Sequence, residues 1–167
     1  MNFEFSDEQN MLREQAQSFL KAECPPQAVR TVLDGDAAFD QGLWQKVVDM
    51  GWTATVIPEE YDGLGLSYLE LSVIAEELGR CLAPLPFSSS VYLATEAILA
   101  AGSDAQKAAW LPKLASGAVI GCLADSEANG HLTAAKLTTR YAQGAITGVK
   151  LPVADGDVAD FAVVVAT

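Results

Sequence analysis

Histidine and cysteine are scarce in this sequence. It contains one histidine, His131, and three widely separated cysteines, Cys24, Cys81 and Cys122, in 167 residues. An odd number of distant cysteines fits neither a disulfide framework nor a CxxC metal site, and a single histidine argues against a histidine-based metal centre. We therefore expect no metal-binding residues.

Positive charge is scarce as well. Only 10 Lys and Arg residues oppose 22 Asp and Glu residues, which gives a formal net charge of −12. Such a surface repels the phosphates of nucleic acids and of anionic membranes, so neither is an expected partner. No apolar run reaches the roughly 18 residues that a membrane-spanning helix needs. The acidic N-terminus lacks the pattern of a signal peptide, so we expect a cytoplasmic protein.

Hydrophobic residues, by contrast, make up 50% of the chain, which predicts a packed core. Ser6 with Gln9, and Ser67 with Glu70, form capping-box patterns, each of which predicts the start of a helix. The first of these helices has an apolar face of Met11, Leu12, Ala16, Phe19 and Leu20. Between them, residues 40–51 predict a further helix whose buried side consists of Leu43, Val47, Val48 and Met50.

The helix that begins after Ser67 is apolar on nearly every side, Leu69 included, which predicts burial against several neighbours. Glu76 and Glu77 are expected on its solvated edge. Residues 88–102 and 103–117 predict two more helices, the second broken or kinked at Pro112.

After residue 117 the sequence changes to short, β-branched segments separated by turn residues, which is typical of strands. We therefore predict an α+β protein with a domain boundary near residue 118. Residues 1–117 would form an all-helical N-terminal domain, and residues 118–167 would form only part of a β domain.

Four stretches of the chain resemble the acyl-CoA dehydrogenase family. They are residues 5–20, 57–80 ("IPEEYDGLGLSYLELSVIAEELGR"), 102–127 and 146–167. The resemblance implies a helical N-terminal domain, the beginning of a β-barrel-like middle domain, and a C-terminal helical bundle that this chain lacks. It also implies FAD as cofactor, an acyl-CoA thioester as substrate, and assembly into homo- or hetero-oligomers. The family's catalytic base usually lies in that bundle, so no residue here is assigned as catalytic.

The family's flavin loop usually reads Thr-Glu-Pro-x-x-Gly-Ser-Asp. In a register fixed through Lys136, Ala124 replaces the Thr and Gly130 replaces the Ser. Leu123, Ala124 and Gly130 would then stand at flavin positions, but neither Ala124 nor Gly130 offers a hydroxyl. Each lost hydrogen bond to a buried polar group costs about 1–3 kcal/mol.

The second flavin motif of the family usually contains Trp-Ile-Thr, and here it reads Pro152, Val153 and Ala154. The resemblance implies that Pro152 and Ala154 occupy flavin positions without the aromatic ring or the hydroxyl. Proline also lacks the N–H donor. The loop at residues 124–131 is therefore either a surface turn or a site that binds through its backbone alone, and His131 is expected to be a solvated loop residue.

Three functional hypotheses follow. The first is a subunit of a heteromeric acyl-CoA dehydrogenase, for example a heterotetramer acting on steroid side chains, in which only the homologous partner holds FAD. The second is an ordinary FAD-binding acyl-CoA dehydrogenase. The third is a non-catalytic interaction or assembly module. Tyr92 and Leu93 could line an acyl pocket or could pack in the core.

Overall fold

A computed structural model of the chain describes residues 4–127 and 136–167. The chain forms two compact units. The first comprises Met1–Leu85 with Ala115–Gly117, and the second comprises Pro86–Leu114 with Ala118–Thr167. The predicted change from helix to strand is confirmed, because the last helix ends at Ala115 and the first strand begins at Gly121. The domain boundary near residue 118 stays a prediction.

The first unit is helical. Its elements are α1 (Asp7–Glu23), α2 (Pro26–Leu33), α3 (Gln41–Asp49), α4 (Tyr68–Arg80) and the 3₁₀ turns Trp52–Ala54 and Glu59–Tyr61. Both predicted capping boxes form at the starts of α1 and α4. The helix α2 was not predicted, although Pro26 at its first position is a recognised helix-starting signal.

Apolar residues from α1, α3, α4 and residues 52–57 form the core of this unit. They include Ala16, Leu20, Leu43, Val47, Trp52, Ile57, Leu71, Val73, Ile74 and Leu78. Trp52 meets Phe19 edge to face, with ring centroids 5.4 Å apart. Gly117 has φ +64°, and a Cβ there would lie 2.3 Å from Val48 Cγ2, so the chain can follow this path only with glycine.

The burial of several side chains in this unit differs from the prediction. Met11, Met50 and Leu69 are exposed, because the apolar stripe of each helix is wider than the face that packs. Glu77 was expected on the solvated edge of α4, and that prediction was wrong, since its side chain is only 2% exposed.

The second unit begins with a π-helix (Ser88–Thr95), followed by α5 (Glu96–Ala101) and α6 (Asp104–Ala115). The sequence predicted one regular helix over residues 88–102. Its first half is instead wound with the wider π spacing, and Thr95 Oγ1 donates to Ser90 O at 2.8 Å. Helix α6 was expected to break or kink at Pro112, and it does not break there, because it continues past this residue to Ala115.

The strands of the second unit are β1 (Gly121–Ala124), β2 (Arg140–Ala142), β3 (Ala145–Thr147) and β4 (Phe161–Val164). β1 pairs with β4 in parallel, and β2 pairs with β3 as an antiparallel hairpin. Its two turn residues, Gln143 and Gly144, both have positive φ, as a tight hairpin turn requires. The predicted α+β order is confirmed, and none of the described helices is long and apolar enough to cross a bilayer.

Candidate functional site

The predicted flavin loop leaves the carboxyl end of β1. Leu123 and Ala124 are the last residues of this strand, paired with Val163 and Val164 of β4. Ala124 is buried, and Asp125, Ser126 and Glu127 are partly exposed. Gly130 and His131 lie outside the described residues. The loop is thus positioned by a short parallel strand pair.

Gly121 allows β1 to lie close to the π-helix. A Cβ on Gly121 would lie 2.6 Å from Ala94 Cβ and 2.8 Å from Phe161 Cζ. The Gly121 amide donates to the buried Ser90 Oγ at 3.3 Å. The start of the strand is therefore fixed by both packing and a hydrogen bond.

Glu127 anchors the near end of the loop, a role that the sequence did not predict. Its carboxylate accepts hydrogen bonds from the backbone amides of Thr138 and Thr139, at 2.8 and 3.0 Å. Both threonine hydroxyls also donate to it, each at 2.7 Å. These hydrogen bonds, led by those from the two hydroxyls, lower the pKa of Glu127 well below its ordinary value. The carboxylate is therefore ionised and firmly held at neutral pH.

Lys150 joins this loop to the second predicted motif. Its ammonium group lies 3.0 Å from Glu127 Oε1 and donates to Asp125 O at 3.1 Å, with only 7% of its side chain exposed. The amide of Leu151 donates to Ser126 O at 2.9 Å. The two stretches that the sequence singled out are thus brought side by side by a partly desolvated ion pair.

The segment after Lys150 carries the other predicted flavin positions. Pro152 and Ala154 are exposed, and neither provides a polar side chain. At the end of the segment, Asp155 has φ +52°, and its Oδ2 accepts a hydrogen bond of 2.6 Å from the fully buried hydroxyl of Ser89. The segment is therefore tied to the π-helix as well as to the loop.

Tyr92 and Leu93 lie on the same π-helix. Tyr92 packs edge to face with Phe87 at 5.4 Å, and burial raises the pKa of its phenol to about 12. The Leu93 side chain is exposed. Tyr92 thus takes part in packing within the unit, and an acyl-pocket role for either residue stays a prediction.

The predicted flavin positions that the structure describes carry few groups that could bind FAD. Ala124, Pro152 and Ala154 offer no side-chain donor, and Pro152 offers no backbone donor either. These residues do not fit a flavin held by side chains at those positions. Within residues 4–127 and 136–167, no group of three or more acidic, His or Cys side chains could hold a metal ion.

A different register of the loop motif would retain two of its polar side chains. Ser126 and Glu127 form a hydroxyl–acid pair two residues after Ala124 and Asp125. Of the two acids, Glu127 is the one that contacts Lys150 through its side chain. The hydroxyl–acid order was the sequence signal that could have identified Glu127, and fixing the register through Lys136 concealed it.

Comparisons with known proteins agree on one family. The model of the acyl-CoA dehydrogenase N-terminal domain matches residues 6–118. Acyl-CoA dehydrogenase IpdE2 of Mycobacterium tuberculosis is 36% identical over 118 residues, which cover 70% of this chain and 36% of that relative.

Solved structures also resemble the chain. The ChsE4–ChsE5 complex from Mycobacterium tuberculosis gives a TM-score of 0.83 at 28% identity, over 96% of this chain and 44% of the matched one. A variant of the Tcur3481–Tcur3483 steroid ACAD gives a TM-score of 0.82 at 25% identity, over 96% of this chain and 45% of the matched one. The chain therefore spans about a third of this curated relative and less than half of each matched structure.

Proposed function

The chain belongs to the acyl-CoA dehydrogenase family, and we propose that it serves as the flavin-poor subunit of a heteromeric member. In this role it supports the FAD-dependent α,β-dehydrogenation of an acyl-CoA thioester, while a homologous partner subunit holds the FAD. The two chains together, rather than this chain alone, would form the active enzyme.

The observation that carries this proposal is that Pro152 and Ala154, in the segment beside the loop, offer neither an aromatic ring nor a hydroxyl. Lys150 and Leu151 hold that segment against residues 125–127, which supports the proposal that Pro152 and Ala154 occupy the positions at which the family contacts the flavin. An aromatic contact and a hydrogen bond are each worth about 1 kcal/mol. Their joint absence weakens FAD binding by roughly one to two powers of ten, which favours a subunit that does not retain FAD on its own.

Two similar structures support the heteromeric part of the proposal. One is a complex of ChsE4 with ChsE5, and the other is a steroid ACAD that pairs Tcur3481 with Tcur3483. By analogy we propose a homologous partner for this chain and a steroid side-chain thioester as the acyl group.

A second function, an ordinary FAD-binding dehydrogenase, is favoured by one specific observation. Ser126 and Glu127 preserve a hydroxyl–acid pair, and the hydrogen bonds of Glu127 hold the start of the loop in place. If Ser126 turned its hydroxyl from Asp125 Oδ1, at 3.1 Å, to a flavin, the chain could bind FAD without a partner.

Titration of the purified protein with FAD separates the two functions. Flavin fluorescence is followed at fixed FAD while the protein is added, and the chain is also inspected for flavin absorbance as purified. The proposal predicts colourless protein and little quenching at micromolar concentrations. Yellow protein with FAD bound to every chain would establish the second function and refute the first.

A further inference from the structure

We propose that a groove in the first compact unit binds an amphipathic anion, specifically a fatty-acid carboxylate. The groove lies between the C-terminal half of α1, helix α2 and the C-terminal end of α4, and it has a volume of about 710 Å³. Pockets that hold small molecules typically measure about 300–1,000 Å³. Neither the loop residues nor Lys150 line the groove, so the proposal does not depend on the function proposed above.

The lining of the groove suits an alkyl chain. Its apolar residues are Leu20, Cys24, Pro25, Pro26, Val29, Leu33, Cys81 and Leu82. Leu33 is 79% exposed and Leu82 is 73% exposed, although both are large aliphatic residues. Covering them with an alkyl chain removes apolar surface from water at two positions that the unit itself leaves bare.

The charges at the groove select an anion. Lys21 and Arg30 line it, and neither has an ion-pair partner among the residues that the structure describes. Two acids also line the groove, Asp34 and Glu77. Because Arg80 lies 3.2 Å from Glu77, the carboxylate of Glu77 is already neutralised.

The remaining charges are therefore two free cations and one acid, Asp34, which leaves one net positive charge beside an apolar trough. This local surplus occurs on a chain whose net charge is −12. A ligand with one carboxylate and one alkyl chain matches both features, since its head group can pair with Lys21 or Arg30 while its tail covers Leu33 and Leu82. A partner protein segment is the alternative occupant that the experiment must separate.

Dodecanoate is a suitable probe, and Cys81 is a natural reporter of its position. Cys81 lines the groove and is partly exposed, whereas Cys24 and Cys122 are buried. Purified protein is treated with a maleimide with and without dodecanoate, and the modified cysteine is identified by peptide mass spectrometry. We expect dodecanoate to slow modification of Cys81 in a saturable manner below about 1 mM, while dodecanol, which has the same chain length and no charge, protects far less.

Matched charge reversals provide the variant test. Lys21→Glu with Arg30→Glu should weaken dodecanoate binding by about tenfold. The control, Lys107→Glu with Lys136→Glu, makes the same change of net charge at two residues that do not line the groove and should leave binding unchanged. Leu33→Glu, at an exposed position, should also abolish protection without unfolding the chain, as checked by circular dichroism.

Three results would overturn the proposal. They are unchanged modification of Cys81 in dodecanoate, equal protection by dodecanol, and equal loss of affinity in the groove and control pairs. Copurification of a protein that shields Cys81, without any protection by dodecanoate, would assign the groove to a protein partner and would equally refute the fatty-acid site.

Discussion

The hydrogen bond between Ser89 and Asp155 offers a quantitative test of how the segment beside the loop is held. Ser89 is fully buried, and its hydroxyl lies 2.6 Å from Asp155 Oδ2 and 3.0 Å from Pro86 O. A hydroxyl has one proton to donate, and the shorter contact has the length of a hydrogen bond to a charged acceptor. The proton therefore points to Asp155.

We predict that Ser89→Ala destabilises the protein by about 1.5–2 kcal/mol. Hydrogen bonds to charged groups contribute about 1.5–3 kcal/mol, and the lower part of that range applies because Asp155 is partly exposed, so that water can replace part of the bond. The measurement is urea unfolding followed by tryptophan fluorescence, since Trp110 lies in the same compact unit.

Ser88→Ala is the matched control, because Ser88 is the exposed neighbour on the same helix. A double-mutant cycle with Asp155→Ala isolates the pair, since the backbone strain of Ala at a positive φ cancels in the cycle. A Ser89→Ala effect no larger than that of Ser88→Ala, or a coupling energy near zero, would show that this hydrogen bond does not anchor the segment.

Two further predictions concern other parts of the fold. Hydrogen bonds, chiefly from the Ser67 side chain, lower the pKa of Glu70 from 4.5 to about 2, so its contribution to stability is complete above pH 4.5 and is lost as the pH falls towards 2. Glu70→Gln should therefore flatten the stability curve in that range, whereas Glu60→Gln, at an exposed site, should not, as acid unfolding will show. Gly121→Val should cost about 1–3 kcal/mol, because its Cβ would lie 2.6 Å from Ala94 Cβ, and a wild-type melting curve would contradict this.

The features that the sequence predicted well are those decided by local interactions. The capping boxes at Ser6 and Ser67 involve side chains three residues apart, so the pattern alone locates the start of α1 and of α4. The change to strands after Gly117 was also predictable, because short β-branched segments alternate there with turn residues. These signals depend on neighbours in the chain and not on tertiary packing.

Tertiary interactions explain what the sequence could not predict. The buried carboxylate of Glu77 lies within ion-pair distance of Arg13 and Arg80, and Gln17 donates a hydrogen bond to it at 3.1 Å. Arg13 and Gln17 belong to α1, about 60 positions earlier in the chain. A helical pattern can only assign a glutamate to the solvated face.

The π spacing of residues 88–95 was hidden for a related reason. The apolar composition of this stretch is the same as that of an ordinary helix, and no local signal distinguishes the two. Likewise, α2 is too short for its apolar periodicity to be recognised without its neighbours.

The sequence singled out the two stretches of the candidate site, but it did not predict the contacts between them. The sequence identified the loop after β1 and the segment containing Pro152 and Ala154, and Lys150 does bring these two stretches together. It did not predict the ion pair between Lys150 and Glu127, because the two residues are 23 positions apart and the loop register was fixed elsewhere. Flavin roles for Leu123, Ala124, Pro152 and Ala154 stay predictions.

The stoichiometry of FAD in the assembled enzyme tests the proposed function most directly. The chain is copurified with a homologous subunit that carries the intact Thr-Glu-Pro and Trp-Ile-Thr motifs, and bound FAD is released and counted against total protein. We expect half as many FAD molecules as chains, all lost when the partner's motif is altered. As many FAD molecules as chains, or FAD retained by this chain after removal of its partner, would contradict the proposed function.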